Sequence, residues 1–231
     1  MAYTLNSVVP WGRTLDEYES MFSLNPADLQ KKIISFGDGP ASFNAEMTAK
    51  GNAVLSIDPI YQFSTQQLKQ RIDETCVEVI NQTSANKDNF VWDIIKSVEE
   101  LKEKRMGAMK LFLTDFEEGK RQNRYLTHSL PVPTSFDDNE FDLGLSSHFL
   151  LLYSNLGLDF HQQSIDEMMR VCKEVRIFPL VNLNAEKNEF IDSLLMALQH
   201  HYSTEIVKVA YEFQRGGNQM LVIKKRYRSV K

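Results

Sequence analysis

Short apolar runs alternate with helical patterns along most of the chain. A helical pattern places apolar residues three or four positions apart, whereas a buried strand reads as an apolar run of four to eight residues. Alternation of the two is typical of a parallel sheet with helices on both faces. Five runs have the length of buried strands, at residues 32–36, 53–58, 124–129, 141–146 and 174–178. We therefore predict an α/β fold with a doubly wound, mostly parallel sheet.

Two capping boxes mark the starts of helices. Thr14 precedes Glu17 by three positions, and Ser64 precedes Gln67 in the same way, so each pair can exchange hydrogen bonds at a helix N-terminus. The first box predicts an N-terminal helix over residues 14–24. Other helices are predicted over residues 40–50, 64–80, 159–172 and 188–201.

The stretch at residues 86–120 is longer than a crossover between strands requires. Its apolar spacing predicts a helical insertion, either one that covers the active site or a pair of helices packed on the surface. A strand over residues 109–115 is a competing interpretation. We prefer the helix because the strand at 124–129 then leads through a short connection into the next strand.

The end of the chain has a different pattern. Apolar runs at residues 206–213 and 219–225 flank Arg215-Gly216-Gly217-Asn218, which is typical of a β-hairpin. The hairpin brings the sheet to seven strands, with a C-terminal antiparallel pair. The chain has 231 residues, 42% of them hydrophobic, which suits one core and is short for two, so we predict a single domain over residues 1–231.

Charge and composition narrow the classes of partner. The net charge is −5, and residues 224–231 carry five positive charges without an acid, so the remaining residues stand at −10. We expect no nucleic-acid surface on that acidic body, and the basic end is predicted to be solvated. The adjacent His200 and His201 do not share a helical face, so no metal site is expected.

The cysteines and the start of the chain indicate a compartment. Cys76 and Cys172 are the only cysteines and lie at apolar helical positions, so we predict no disulfide and a reducing environment. The first six residues lack the charged and apolar regions of a signal peptide, and no run is long enough to span a bilayer. We therefore predict a cytoplasmic protein without a membrane partner.

The segment from Gly37 to Pro40 carries the candidate chemistry. It follows the first predicted strand, its glycines allow the backbone to pass close to a ligand, and Pro40 suits the first turn of a helix. The second strand delivers Asp58 to the carboxyl edge of the sheet, where a carboxylate can accept hydrogen bonds from both hydroxyls of a ribose. The sequence therefore predicts a nucleotide-cofactor site. The dinucleotide fingerprint would need a third glycine where this chain has Ser42, which disfavours a nicotinamide-dependent oxidoreductase.

Three segments resemble one family. Residues 36–43 resemble the first motif of the class I, Rossmann-like S-adenosylmethionine-dependent methyltransferases. Residues 136–154, in which an acidic turn and Phe-Asp lead into a strand, look like the fourth-strand motif of small bacterial members, and the terminal hairpin is the element that this fold adds. The order and spacing of these segments carry the resemblance over residues 30–226. It implies S-adenosyl-L-methionine as the cofactor and a small-molecule or protein methyl acceptor, since the Asn-Pro-Pro-Tyr type of motif of nucleic-acid enzymes is absent.

The resemblance also implies which residues hold the cofactor. The glycine turn would approach its methionine portion and Asp58 its ribose. The residues that follow Asp58 and the third strand would lie on either side of the adenine, and the exit of the fourth strand would line the gap toward the acceptor. The implied cofactor-binding set is Gly37, Asp38, Gly39, Asp58, Pro59, Ile60, Ser129, Leu130 and Ser146.

His148 is the implied catalytic residue, since an imidazole at this exit could take a proton from the acceptor or orient it. Two alternatives stay open from the residues alone: Asp38 as a helix cap and His148 as a core histidine. The methyltransferase pattern is also broken at Ser35, Ala41 and Ser129. These departures motivate an alternative function, a catalytically inactive S-adenosylmethionine-binding module that works through a partner.

Overall fold

A computed structural model of the protein describes residues 9–226. The first six residues and the last five, on which parts of the compartment and charge predictions depend, lie outside that range. The centre of the fold is a seven-stranded sheet with strands β1 (Ile33–Phe36), β2 (Val54–Ile57), β3 (Tyr125–Leu126), β4 (Phe141–Ser147), β5 (Cys172–Phe178), β6 (Tyr202–Lys208) and β7 (Gln219–Lys225).

The strand order is β3-β2-β1-β4-β5-β7-β6. Strands β1 to β5 are parallel, and β7 lies antiparallel between β5 and β6. This is the predicted doubly wound sheet with its C-terminal antiparallel pair, so the fold prediction is confirmed. The chain runs outward from β1 through β2 to β3 and then returns to β4, which makes the crevice between β1 and β4 the switch point where ligands bind in such sheets.

Within the described range, six α-helices surround the sheet: α1 (Leu15–Phe22), α2 (Phe43–Ala49), α3 (Thr65–Ala85), α4 (Val98–Arg121), α5 (Leu158–Val171) and α6 (Ile191–Gln199). Both predicted capping boxes are present, at Thr14 and at Ser64. The competing strand over residues 109–115 is wrong, because these residues lie inside α4. In residues 9–226 no helix is both long and apolar enough to cross a bilayer.

The core is divided by the sheet. Successive strand residues point to opposite faces, so Ile34 packs with α5 and α6 whereas Ile33 packs with α1 and α2. A smaller apolar cluster around Tyr61 and Tyr125 joins α3 and α4 to the β3 edge. Because both faces of the sheet are covered, the strands are apolar along almost their whole length, and this was the signal that predicted them.

Several predicted boundaries differ from the structure. The strand predicted over residues 124–129 is only Tyr125–Leu126, because only these two residues pair with β2. The helix after β1 begins at Phe43 instead of Pro40, because hydrogen bonds from other elements hold the backbone at Gly39 outside any helix. Strand β6 covers residues 202–208 instead of 206–213. The chain leaves the sheet there because the Phe213 carbonyl accepts the amide of Val91, in the connection between α3 and α4.

Candidate active site

A cavity of about 320 Å³ lies at the carboxyl ends of β1, β2 and β4, at the switch point of the sheet. The structure brings most of the predicted site residues together there: Gly37, Asp38, Gly39, Asp58, Pro59, Ile60, Ser129, Leu130 and His148 line this first cavity. Ser146 does not line it. Ser146 is fully buried within β4, and its neighbour Ser147 faces the cavity instead, as the alternation of side chains along a strand requires.

The turn after β1 depends on glycine at two positions. Gly37 and Gly39 have φ of 63° and 57°, in the left-handed region that other residues adopt at a cost. A Cβ atom at Gly37 would stand 2.5 Å from Cδ1 of Phe149, whereas at Gly39 no described atom lies within 4 Å of that position. The backbone at Gly39 therefore borders open space inside the cavity, where a ligand can approach it closely.

Asp58 connects this turn to the end of β2. One carboxylate oxygen accepts the Gly39 amide at 2.9 Å, and the other accepts the Ile60 amide at 2.8 Å. Burial raises the pKa of Asp58 to about 6, against the opposing effect of those two amides. Each carboxylate oxygen can accept a second hydrogen bond, so Asp58 retains capacity for the hydroxyls of a ribose.

Tyr61 holds the same turn from the other side, a role that the sequence analysis did not predict. Its hydroxyl donates to the carbonyl oxygen of Gly39 at 2.8 Å. The backbone N–H and the backbone carbonyl of Gly39 are thus both bound by residues that follow β2. Tyr61 was missed because a buried tyrosine after a strand is ordinarily read as packing.

The Asp38 carboxylate forms its hydrogen bonds inside the protein. Its carboxylate accepts hydroxyl hydrogen bonds from Tyr18 and Ser35 at 2.5 Å and from Ser56 at 2.6 Å. Burial raises its pKa, and these three donors oppose the shift. The alternative that Asp38 caps a helix is wrong, because α2 begins five residues later, at Phe43, and its N-cap is Ser42. Ser35, where the methyltransferase pattern often has an acid, is instead in contact with the Asp38 carboxylate.

His148 stands where β4 ends, in the left-handed region with φ of 53°. Its amide donates to the Phe178 carbonyl at 2.7 Å, and its Nδ1 lies 2.9 Å from the Ser147 hydroxyl. Burial, and then the positive charges of Arg13 and Arg105, lower the pKa of His148 well below its ordinary value. The imidazole is therefore neutral at neutral pH, and it lines the cavity as a hydrogen-bonding group.

A second, smaller cavity of about 90 Å³ adjoins the first. The two share Val9, Trp11, Arg13 and His148 in their linings. The stretch at residues 86–120 contributes Phe90, Leu101 and Arg105 to the second cavity and no described residue to the first. Of the described lining residues, none belongs to α1, so this stretch and α1 do not cover the first cavity.

Residues 9–13 cover the first cavity instead. Gly12 crosses the turn so closely that a Cβ atom there would overlap the carbonyl group of Pro40. The Arg13 carbonyl accepts the amide of Ser42 at 3.0 Å. The sequence did not reveal this segment, because five residues without periodicity carry no secondary-structure signal.

A buried ion pair supports the floor of the second cavity. Arg105 of α4 donates to the Glu17 carboxylate of α1 at 2.6 Å, and the Tyr211 hydroxyl donates to the other Glu17 oxygen at 2.9 Å. Burial tends to raise the pKa of Glu17, but the positive charge of Arg105 overrides it and lowers that pKa to about 2. Glu17 is thus an anion at neutral pH and neutralises one buried guanidinium.

Comparison with known proteins gives a sequence relative and several similar folds. No protein-family model matches the chain. The putative S-adenosyl-L-methionine-dependent methyltransferase of Methanococcus maripaludis is 13% identical with a TM-score of 0.48, covering 94% of this chain and 85% of that one. A TehB-like SAM-dependent methyltransferase of Corynebacterium glutamicum is 17% identical with a TM-score of 0.46, covering 85% and 81%. Because both scores lie below 0.5, the fold assignment depends on the strand order of this chain itself.

The sequence relative is much more similar in sequence than these two structures. An uncharacterized protein of Methanocaldococcus jannaschii, MJ0045, is 37% identical over 227 residues, which cover 96% of this chain and 98% of that protein. Identity at this level over nearly the whole of both chains shows common descent and a common fold. The chain, which has the Rossmann-like methyltransferase fold, belongs to the same family as MJ0045 of Methanocaldococcus jannaschii.

Proposed function

We propose that the protein is an S-adenosylmethionine-dependent methyltransferase whose cofactor binds in the first cavity. The observation that carries the proposal is the meeting of a glycine turn and the Asp58 carboxylate at the switch point of a sheet with this strand order. Ligands of doubly wound sheets bind at that point. The similar folds of named methyltransferases agree with the proposal but do not carry it.

The residues present fit the cofactor. The first cavity has the volume of a small-molecule site, and the open space at Gly39 leaves room for a ligand against the backbone. Asp58 would accept hydrogen bonds from the ribose hydroxyls, and Ile60 and Leu130 offer apolar surface for the adenine. The turn from Gly37 to Gly39 would hold the methionine portion.

When bound, the cofactor supplies a methyl group on a sulfonium, which is already a good leaving group. The protein's task is alignment, and holding two reactants in line lowers the barrier by several kcal/mol without acid or base catalysis. His148, in the wall shared by the two cavities, would accept a hydrogen bond from the acceptor and orient its nucleophilic atom. Residues 9–13, which cover the first cavity, would exclude water from it.

Calorimetric titration of the full chain tests the proposal. S-adenosylmethionine and its demethylated product, S-adenosylhomocysteine, are expected to bind, and NAD is not. Binding of NAD alone would favour an oxidoreductase, and binding of none of the three would contradict a cofactor site in this cavity.

The alternative, a binding module without turnover, shares the same cofactor site and is motivated by the departures at Ser35, Ala41 and Ser129. Transfer of a labelled methyl group to any acceptor from a library of small molecules or proteins would exclude it. Tight binding of both cofactor forms without transfer would support it.

A further inference from the structure

Arg13 lies in the wall between the two cavities without a carboxylate partner. Its Nη1 donates to the carbonyl oxygen of Trp11 at 2.6 Å, whereas its Nε is buried without a hydrogen-bond partner among residues 9–226. No Asp or Glu in that range forms an ion pair with it, and residues 1–8 and 227–231 contain no Asp or Glu. Arg13 as a whole is half-buried, and a positive charge whose Nε is buried without a hydrogen-bond partner or a nearby anion of its own is costly.

The other groups that face the second cavity do not compensate this charge. Arg105 is paired with Glu17 at 2.6 Å, so that pair is neutral overall. His148 is neutral because its pKa is lowered, and Tyr153 is neutral because burial raises its pKa. Burial and the charge of Arg105 lower the pKa of Arg13 to about 10, which leaves it protonated at neutral pH. One positive charge in this cavity is therefore uncompensated.

The rest of the second cavity is largely apolar. Its walls include Val79 of α3, Leu101 of α4, and Phe90 stacked on Phe213 with ring centroids 4.9 Å apart. A ligand that suits these walls has a compact apolar body and one negative charge. A carboxylate supplies a single charge and two coplanar oxygens, which match a guanidinium in two parallel hydrogen bonds. A phosphate dianion would bring one negative charge more than the cavity can neutralise.

We propose that the second cavity is the acceptor subsite and binds a small carboxylic acid with an apolar body, its carboxylate on Arg13. That this cavity holds the methyl acceptor rests on the proposed function, whereas the binding of a carboxylate to Arg13 does not. The same chemistry could come from the amino-acid end of the cofactor, since Arg13 borders both cavities. We place the carboxylate in the second cavity because Arg105, whose positive charge acts on Arg13, lines that cavity and not the first.

Benzoate and benzamide are the matched probes, because they share shape and differ in charge. Their binding to the full chain is measured by calorimetry and by tryptophan fluorescence, since Trp11 lines both cavities and Trp92 packs against Phe90 and Phe213 of the second. We expect benzoate to bind at least about tenfold more tightly than benzamide. Arg13→Gln is expected to abolish that preference and Arg13→Lys to retain part of it. Arg71→Gln, on an exposed position of α3 beside Glu74, is the control and should bind like the original chain.

Two nucleosides separate the sources of the carboxylate. S-adenosylmethionine carries the amino-acid end, and 5′-methylthioadenosine lacks it. We expect Arg13→Gln to change the affinity for either by less than about threefold. If this variant loses S-adenosylmethionine affinity and keeps 5′-methylthioadenosine affinity, the carboxylate belongs to the cofactor and the acceptor assignment is overturned.

Equal binding of benzoate and benzamide to the original chain, or no binding of either, would overturn the proposal without any variant, so it does not depend on Arg13→Gln folding. Failure of the proposed function is a separate result. The chain would then bind neither S-adenosylmethionine nor S-adenosylhomocysteine while benzoate still bound more tightly than benzamide.

Discussion

Folding stability and cofactor binding favour different protonation states of the Asp58 carboxyl group. Because burial raises its pKa from 3.8 to about 6, its ionised form costs folding free energy. Its stabilising contribution is therefore present below about pH 4 and is lost as the pH rises through 6. Ribose hydroxyls, in contrast, are bound best by the ionised carboxylate, so cofactor binding and stability should change in opposite directions across this range.

We expect Asp58→Ala to weaken S-adenosylmethionine binding by about 1 to 3 kcal/mol, because the ribose donors lose their acceptor. Asp58→Asn keeps an acceptor oxygen and should remove the pH dependence. Relative to this variant, the original chain should lose up to about 3 kcal/mol of unfolding free energy between pH 4 and 6. Calorimetry and urea unfolding at several pH values measure the two effects. Unchanged affinity in Asp58→Ala would place the ribose elsewhere.

A substitution of His148 tests its catalytic role, and the backbone conformation at this position limits which substitution is suitable. Its φ of 53° is adopted by Asn more readily than by Ala, so His148→Asn changes the imidazole with less strain than His148→Ala. Once an acceptor is known, we expect turnover to fall about a hundredfold and S-adenosylmethionine affinity to stay nearly constant.

His201→Asn, on an exposed position after α6, is the matched control and should keep full turnover. If His148→Asn lowers the free energy of unfolding while activity falls only in proportion to the folded fraction, His148 is a packing residue. The first cavity would then have no assigned catalytic group.

At the scale of elements, one ion pair joins parts of the chain that are far apart in sequence. Arg105 of α4 and Glu17 of α1 are 88 residues apart, and Tyr211 reaches the same carboxylate from the loop before β7. We expect Arg105→Met to cost about 3 to 5 kcal/mol in urea unfolding, because it leaves the Glu17 carboxylate buried and unpaired. Glu17→Gln combined with Arg105→Met should recover part of that loss.

The pH dependence of stability provides a second measurement of this pair. Since the pKa of Glu17 is lowered from 4.5 to about 2, its contribution is complete above 4.5 and is lost as the pH falls through 2. If the double variant is no more stable than Arg105→Met, the unpaired Glu17 carboxylate does not account for the loss of stability.

The crossing of residues 9–13 over the glycine turn is tested by one methyl group. Gly12→Ala places a Cβ atom against the backbone of Pro40, and we expect the displaced turn to weaken S-adenosylmethionine binding by about 1 to 3 kcal/mol. Gly107→Ala, on an exposed position of α4 where no described atom lies within 4 Å, is the matched control. Gly107→Ala should raise the free energy of unfolding by about 0.5 to 1 kcal/mol and leave S-adenosylmethionine binding unchanged. Equal binding in both variants would contradict this role of Gly12.

At the scale of the whole molecule, the sequence predicted what depends on periodicity and missed what depends on distant contacts. Apolar runs and capping boxes are local signals, so five strands, the hairpin and two helix starts followed from them. A doubly wound sheet then brings the ends of its strands together, which is why Gly37, Asp58 and His148 meet in one cavity. Arg13, Tyr61 and the Glu17–Arg105 pair were missed because no local pattern connects residues that meet only after folding.

The division of the site into two cavities gives the last prediction, read by amide exchange. Phe90, Leu101 and Arg105 of the 86–120 stretch line the second cavity and not the first, whereas Val9, Trp11 and Arg13 line both. S-adenosylmethionine alone should therefore slow exchange in residues 11–13 and 37–42 and leave residues 89–105 unchanged, whereas benzoate should slow the latter. Helix α6, which lines neither cavity, is the internal control. Protection of residues 89–105 by S-adenosylmethionine alone would show that the long helical stretch covers the cofactor, as its length first indicated, and that the two cavities act as one site.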